Sequence, residues 1–151
     1  MSCDCKEERT VIKVKGDVTP ANLWVGVVYT STYQLSPPVL RAPGPAGGLV
    51  PMTTGRLQIR RFSFNFASTA HFKVSVTPKY RESFETAFNA HHTGVADNKL
   101  TNVNLDSGSL KISAPGRAED LTVVITNNSV LPSWITGVEW EGVYETSSRR
   151  V

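Results

Sequence analysis

The run from Arg56 to Phe66 constrains this chain more than any other segment. Leu57 and Ile59 share one face of an extended strand, but Phe62, Phe64 and Phe66 have the opposite parity, so the apolar face changes side at Arg60-Arg61. Side chains on a strand alternate with a period of two, and a slip of one residue carries all of them to the other face. A one-residue bulge at Arg60-Arg61 restores a single buried face. Without a bulge the strand is buried on different sides along its length, as when it bridges two sheets. Either way the segment is a long strand, and the chain is built on β structure.

Shorter runs of the same kind flank it. Thr10 to Lys15 and Leu23 to Tyr33 read as strands, joined through Asp17-Val18-Thr19-Pro20, where proline biases Thr19 away from helix. His71 to Val76 puts Phe72, Val74 and Val76 in phase and is stopped by Pro78; residues 67–70 before it have the length of a hairpin connection. Val103 and Leu105, then Leu110 and Ile112, flank Asp106-Ser107-Gly108 in a hairpin pattern, and Pro115-Gly116 is expected to turn the chain. Leu121, Val123 and Ile125 alternate up to Asn127-Asn128. The last strand runs from about Ile135 to Tyr144, with Val138, Trp140, Gly142 and Tyr144 on one face and Glu139 and Glu141 on the other. Only residues 79–99 are ambiguous: Tyr80, Phe84 and Phe88 fall at helical spacing, which allows a short helix or an irregular strand. Seven to eight strands separated by turns predict an all-β fold, an antiparallel β-sandwich or partly closed barrel.

The 151 residues suit one such domain over residues 10–146, with polar tails at 1–9 and 147–151. Within it, residues 36–55 form a long Pro/Gly-rich loop or arm. Pro37, Pro38, Pro43, Pro45 and Pro51 lack the N–H that a central ladder needs, and loops of this length order against a partner or carry function. Only 19% of residues are charged, for a net +3, which excludes a coiled coil and an acidic disordered chain. The most apolar stretch, Leu23 to Tyr29, is strand-sized, so no membrane insertion is expected. The N-terminus has no hydrophobic signal region, and synthesis in a cytoplasm is expected. Cys3 and Cys5 are too close in sequence for a relaxed disulfide.

The familiar catalytic motifs are missing: no G-x-S-x-G elbow, no phosphate loop, no H-E-x-x-H. Glu139 and Glu141 project from one strand face, as paired carboxylates would, but opposite Trp140 they read as a solvated outer face. Cys3, Cys5, His91 and His92 are zinc-type ligands at poor spacing, and no metal or cofactor is assigned. Arg56, Arg60, Arg61, Lys73, Lys79 and Arg81 surround Phe62, Phe64, Phe66 and Phe72. Cations among aromatics suit single-stranded nucleic acid, yet strict alternation marks these rings as core. Of Trp24, Trp134 and Trp140, Trp134 follows Pro132 in a loop and is the most exposable, as a sugar platform or as an interface anchor.

Several blocks carry a resemblance. Trp24 to Thr30, Leu35-Ser36-Pro37-Pro38, Gly55 to Phe62, Phe72 to Pro78, and Val138-Glu139-Trp140-Glu141-Gly142-Val143-Tyr144 with Ser148-Arg149-Arg150 together resemble, in this order, the C-terminal part of the tail tubular protein B, or nozzle, family of short-tailed bacteriophages (podoviruses). The resemblance implies a structural protein of the virion tail, a homo-oligomer in a six-fold ring around the DNA channel, below the head-to-tail adaptor and near the tail fibres. It implies no enzymatic activity and only non-specific proximity to phage DNA. A whole nozzle protein is several times longer and carries a β-propeller, for which 151 residues leave no room. The chain is therefore expected to be a split C-terminal piece, partnered by the remainder of the nozzle, or a small tail component on the same module. Arg60, Arg61, Trp134, Arg149, Arg150 and the 36–55 loop are the expected interface residues. The alternative is a carbohydrate-binding β-sandwich for host-surface recognition, which requires an exposed Trp134.

Overall fold

A computed structural model describes residues 26–27, 29–45, 47–52, 54–91 and 103–146. Nine strands lie among them: β1 (Ser31–Gln34), β2 (Arg41–Pro43), β3 (Leu49–Pro51), β4 (Gly55–Thr69), β5 (His71–Pro78), β6 (Phe84–Asn89), β7 (Asp106–Arg117), β8 (Leu121–Asn127) and β9 (Ile135–Thr146). A single 3-10 turn, Ala118–Asp120, joins β7 to β8. A four-stranded sheet in the order β1-β8-β5-β6 faces a three-stranded sheet in the order β7-β4-β9, and every pairing is antiparallel. Neither sheet closes on itself. Of the two expected architectures, the sandwich is the one adopted.

The core is the contact between the two inner faces. Ile59, Phe62, Phe64 and Phe66 of β4 and Ile112 and Ala114 of β7 meet Phe72, Val74 and Val76 of β5 and Leu121 and Val123 of β8. Phe66, Phe72 and Phe88 pack at centroid distances of 4.3 to 5.5 Å, tilted or edge to face. Burial of the fully enclosed Phe62, Phe64 and Phe72 contributes about 1.5–3 kcal/mol each.

The parity switch of β4 is resolved by a bulge. Ile59 pairs with Gly142 and Arg61 with Glu141, so Arg60 is one residue in excess over β9. Leu57 and Ile59 are thereby brought to the same side as Phe62, Phe64 and Phe66, and Arg60 and Arg61 are consecutively exposed. On the other flank the register passes from Ile59↔Gly116 to Arg61↔Ser113, leaving Ala114 and Pro115 opposite the bulge. This accounts for a departure from expectation. Pro115-Gly116 does not turn the chain but lies inside β7, an edge strand, at an irregular point where the ladder asks no N–H of proline.

Two other readings are corrected, and one open alternative is decided. Residues 67–70 are not a hairpin: β4 and β5 belong to different sheets, and the chain crosses between them at Thr69-Ala70. A second bulge precedes the corner, with Ser68 in the left-handed region at φ 47° and its N–H donating to Ser107 Oγ over 3.0 Å. Asp106-Ser107-Gly108 is not a hairpin turn but the start of β7, where Gly108 pairs with Phe66 and lies beneath its ring. Phe84 and Phe88 belong to a strand: residues four apart share a face in a strand as well as in a helix, and they pair with Val76 and Phe72. Tyr80 lies outside it, exposed, with Lys79 Nζ 5.5 Å from its ring centroid.

The Pro/Gly-rich segment holds a hairpin of its own, β2 with β3. The strand expected at Thr10 to Lys15 lies outside the described residues, as do both polar tails and positions 23–25 and 28 of the strand expected at Leu23 to Tyr33; of the rest of that expected strand only Ser31 to Tyr33 are in β1, whereas Gly26, Val27, Tyr29 and Thr30 are exposed and outside any strand. Among the described residues no helix is long and apolar enough to cross a membrane.

Candidate assembly surfaces

The outer face of the three-stranded sheet takes its character from the bulge. Arg61 lies opposite Glu141, and its Nε is 3.0 Å from Glu141 Oε2, both side chains about half exposed. Glu139 accepts a hydrogen bond from Asn65 Nδ2 at 3.1 Å. Both carboxylates are thus engaged by neighbours on a solvated face. Arg60, Arg61, Lys111, Ser113 and Pro115 line a shallow hollow of about 480 Å³. The wider basic cluster expected from the sequence is divided: Lys73 lies on β5 in the opposite sheet, and Lys79 lies 3.8 Å from Asp120. The phenylalanines among these cations are buried core and offer no stacking face.

Trp134 is 66% exposed on the loop between β8 and β9. The backbone beneath it is pinned. Trp134 N–H donates to Thr69 Oγ1 at 2.9 Å, Ala67 N–H to the Trp134 carbonyl at 3.1 Å, and Ala70 N–H to the Pro132 carbonyl at 2.9 Å. The Thr69 hydroxyl, fully buried, lies 3.0 Å from the Ala67 carbonyl and 3.2 Å from that of Trp134, with one proton to share between them. At the loop's start Asn127 donates through Nδ2 to the Leu131 carbonyl at 2.8 Å and accepts at Oδ1 from Ser129 N–H at 2.9 Å. An exposed tryptophan on a pre-ordered loop is an efficient anchor, because little freedom remains to be lost on contact.

The third surface is the arm. At its tip Gly44 N–H donates to the Gly48 carbonyl at 2.7 Å and Gly47 N–H to that of Gly44 at 3.1 Å; Gly47 takes φ 81°, a conformation natural to glycine. Leu49 and Val50 are more than half exposed. Its root, Pro37 to Leu40 with Met52, lines a 380 Å³ hollow with Leu57, Arg117 and Tyr144.

Of the expected interface residues, Arg60, Arg61 and Trp134 are exposed, and the structure does not bring the two arginines to the tryptophan: the bulge is mid-sheet, while Trp134 lies at the Thr69 corner. Arg149, Arg150, Trp24, Cys3, Cys5 and His92 lie outside the described residues; His91 is exposed and Trp140 half-buried against the core. Among the described residues no three His, Cys, Asp or Glu side chains gather as a metal site. Sequence reasoning missed Thr69 and Asn127. Asn127-Asn128-Ser129 carries an Asx-turn signature that marks Asn127, whereas nothing local distinguishes Thr69 from any other β-branched strand residue.

Residues 3–151 match the family model described as bacteriophage nozzle protein. The chain belongs to the bacteriophage nozzle protein family. A similar protein is the tail tubular protein gp12 of Escherichia phage T7, 24% identical over 135 residues. That match covers 88% of this chain and 17% of the T7 protein, so the chain spans about a sixth of its relative's length.

Proposed function

We propose that the chain is a structural subunit of a bacteriophage tail, a nozzle-type tail tubular component or a separately encoded nozzle fragment. In this reading it assembles as a six-fold ring around the DNA channel, beside the head-to-tail adaptor, the remainder of the nozzle and the tail fibres, after synthesis in the host cytoplasm. The observation that carries it is the family match over residues 3–151. The surfaces agree in kind: an apolar arm, a pre-ordered Trp134 and polar sheet faces suit contact with neighbouring subunits, and a ring requires two different patches to meet. We assign no catalytic role, since Glu139 and Glu141 are held by Asn65 and Arg61 on an open face. No tight DNA site is assigned either, because DNA must slide through such a channel and strong phosphate binding would retain it.

The test is to fractionate a lysate of the infected host by size and quantify this chain by mass spectrometry across the fractions. Co-sedimentation with DNA-filled particles, at a fixed ratio to the other tail proteins, is the expected result and yields the copy number. Recovery in the soluble fraction alone refutes the reading. The exposure of Trp134 is what a sugar-binding module would also require. Asn127, at the start of that loop, has its oxygen and nitrogen already engaged within the loop. Quenching of tryptophan fluorescence by oligosaccharides is the measurement that would revive that alternative.

A further inference from the structure

The outer face of the three-stranded sheet is divided by charge, strand by strand. Glu139, Glu141 and Glu145 are exposed on β9, Arg56, Arg60 and Arg61 on β4, and Lys111 and Arg117 on β7. The outward carboxylates thus stand in one row, and the next two rows are cationic. The outer face of the other sheet has no such feature: Lys73 is the one lysine or arginine in its four strands, diagonal to Glu85 of β6.

Part of this charge is used within the chain. Arg56 lies opposite Glu145, Arg61 is 3.0 Å from Glu141, and Arg117 reaches Glu119 at 3.7 Å. The side chains of Arg60 and Lys111 take part in no ion pair among the described residues. The bulge sets Arg60 and Arg61 side by side, and Lys111 stands opposite Ser63 on the neighbouring strand, two positions along from Arg61. At strand spacing, the Cα atoms of Arg61 and Lys111 are about 8 Å apart. With Ser113 and Pro115 these three cations border the shallow hollow of about 480 Å³, whose one aliphatic side chain, Ile112, is buried in the core.

We propose that Arg60, Arg61 and Lys111 form a weak, sequence-independent contact for the phosphate backbone of duplex DNA, so that this sheet face is the one turned towards DNA. The chemistry favours phosphate over a protein partner. A protein neighbour is anchored through a dry apolar centre, which the hollow lacks, whereas a phosphate backbone is held by cations and hydroxyls alone. Bases are not read, because the phenylalanines behind the arginines are enclosed in the core. The carboxylate row on β9 and the sharing of Arg61 with Glu141 keep the attraction weak, as sliding DNA requires. The inference rests on the reading of the chain as a tail subunit around a DNA channel and adds the face.

The test is fluorescence anisotropy of a labelled duplex of arbitrary sequence with the full chain, across a salt series. Three phosphates neutralised per bound subunit give a slope of log K against log salt of about −2.7, or roughly 500-fold weaker binding at about 200 mM than at about 20 mM salt. Arg60→Ala and Lys111→Ala, both at exposed sites, are each expected to reduce the slope by about 1, and the double variant to leave about an 8-fold salt effect. Lys73→Ala removes the same charge from the opposite face and should change neither affinity nor slope. No binding at low salt overturns the proposal, as does an equal loss in Lys73→Ala, which would mean that net charge alone is felt. Binding of poly-glutamate as tight as that of DNA, or weaker self-association of Arg60→Ala in sedimentation velocity with DNA binding unchanged, assigns the cations to a protein neighbour and overturns it too. Any of these results, with the chain still co-sedimenting with DNA-filled particles, removes the DNA contact and leaves the tail reading standing. Absence from particles with the salt slope intact does the reverse.

Discussion

Deleting Arg60 separates the bulge as a geometric device from the arginine as a side chain. With one residue fewer, β4 cannot keep Leu57 and Ile59 on the same face as Phe62, Phe64 and Phe66, so one half must slip. Turning the phenylalanines outward forfeits about 6 kcal/mol, at roughly 2 kcal/mol each. Turning Gly55 to Ile59 is the cheaper slip: it loses about 2 kcal/mol for the fully buried Ile59 and about 1 for the half-buried Leu57. The same slip carries Gln58 inward without a partner, which costs about 1–3 kcal/mol more. The sum, about 4–6 kcal/mol, approaches the whole stability of a typical domain. For a chain of this length it corresponds to a drop in melting temperature of roughly 8–24 °C. Arg60→Ala keeps the residue count and removes only an exposed side chain, so it should stay within about 0.5 kcal/mol of the parent. Urea and thermal unfolding followed by tryptophan fluorescence measure both variants. A deletion variant as stable as Arg60→Ala would show that the bulge does not set the register of β4.

Two further outcomes follow from contacts of β9. Gly142→Ala would drive a Cβ into the Gln58 carbonyl oxygen, rigid backbone on the central strand, and should destabilise by about 1–3 kcal/mol, whereas Gly137→Ala, with open space at the same strand's other end, should be neutral or stabilising by about 0.4–1 kcal/mol; paired urea titrations decide, and equal effects would refute the argument. Tyr144 Oη is buried beneath the arm root without a hydrogen-bond partner among the described residues, so Tyr144→Phe should hold or raise stability, by up to about 1 kcal/mol; a loss exceeding 1 kcal/mol in calorimetry would mean the hydroxyl is satisfied.

The strands were legible where a single face is buried. Leu121, Val123 and Ile125, and Val138 and Trp140, alternate because one side of each meets the opposite sheet, and the parity break at Arg60-Arg61 marked the place where either a bulge or a change of sheet was required. The connections were less legible. Gly and Pro normally mark turns, but Pro115, Gly116 and Gly108 are inside β7: proline tolerates the irregular edge, Leu121 packs against Gly116, and Phe66 covers Gly108. These are tertiary reasons, and no local pattern contains them. The crossing at Thr69-Ala70 is hidden for a related cause, since a short link between two strands looks alike whether the second pairs with the first or joins the facing sheet.

The candidate surfaces follow the same division. Trp134 stood out by residue type, because a large ring after proline in a loop has few places to hide, but what holds its backbone is the hydroxyl of Thr69, sixty-five positions away. The hollow between β1 and β9 is less visible still: Tyr33, Ile135 and Val138 are ordinary strand residues, and only the tertiary fold brings them together around it. The bulge links the two levels. By adding one residue to β4 it keeps five apolar side chains facing the core and, in the same step, sets two consecutive arginines outward, one paired with Glu141 and the other exposed beside Lys111. Substitution at Arg60 therefore alters what the outer sheet offers a neighbour while leaving the core register intact, and deletion disturbs both. A surface contact through Arg60 would appear as an assembly defect in Arg60→Ala with unchanged unfolding, which is how a role in assembly is distinguished from a role in the fold.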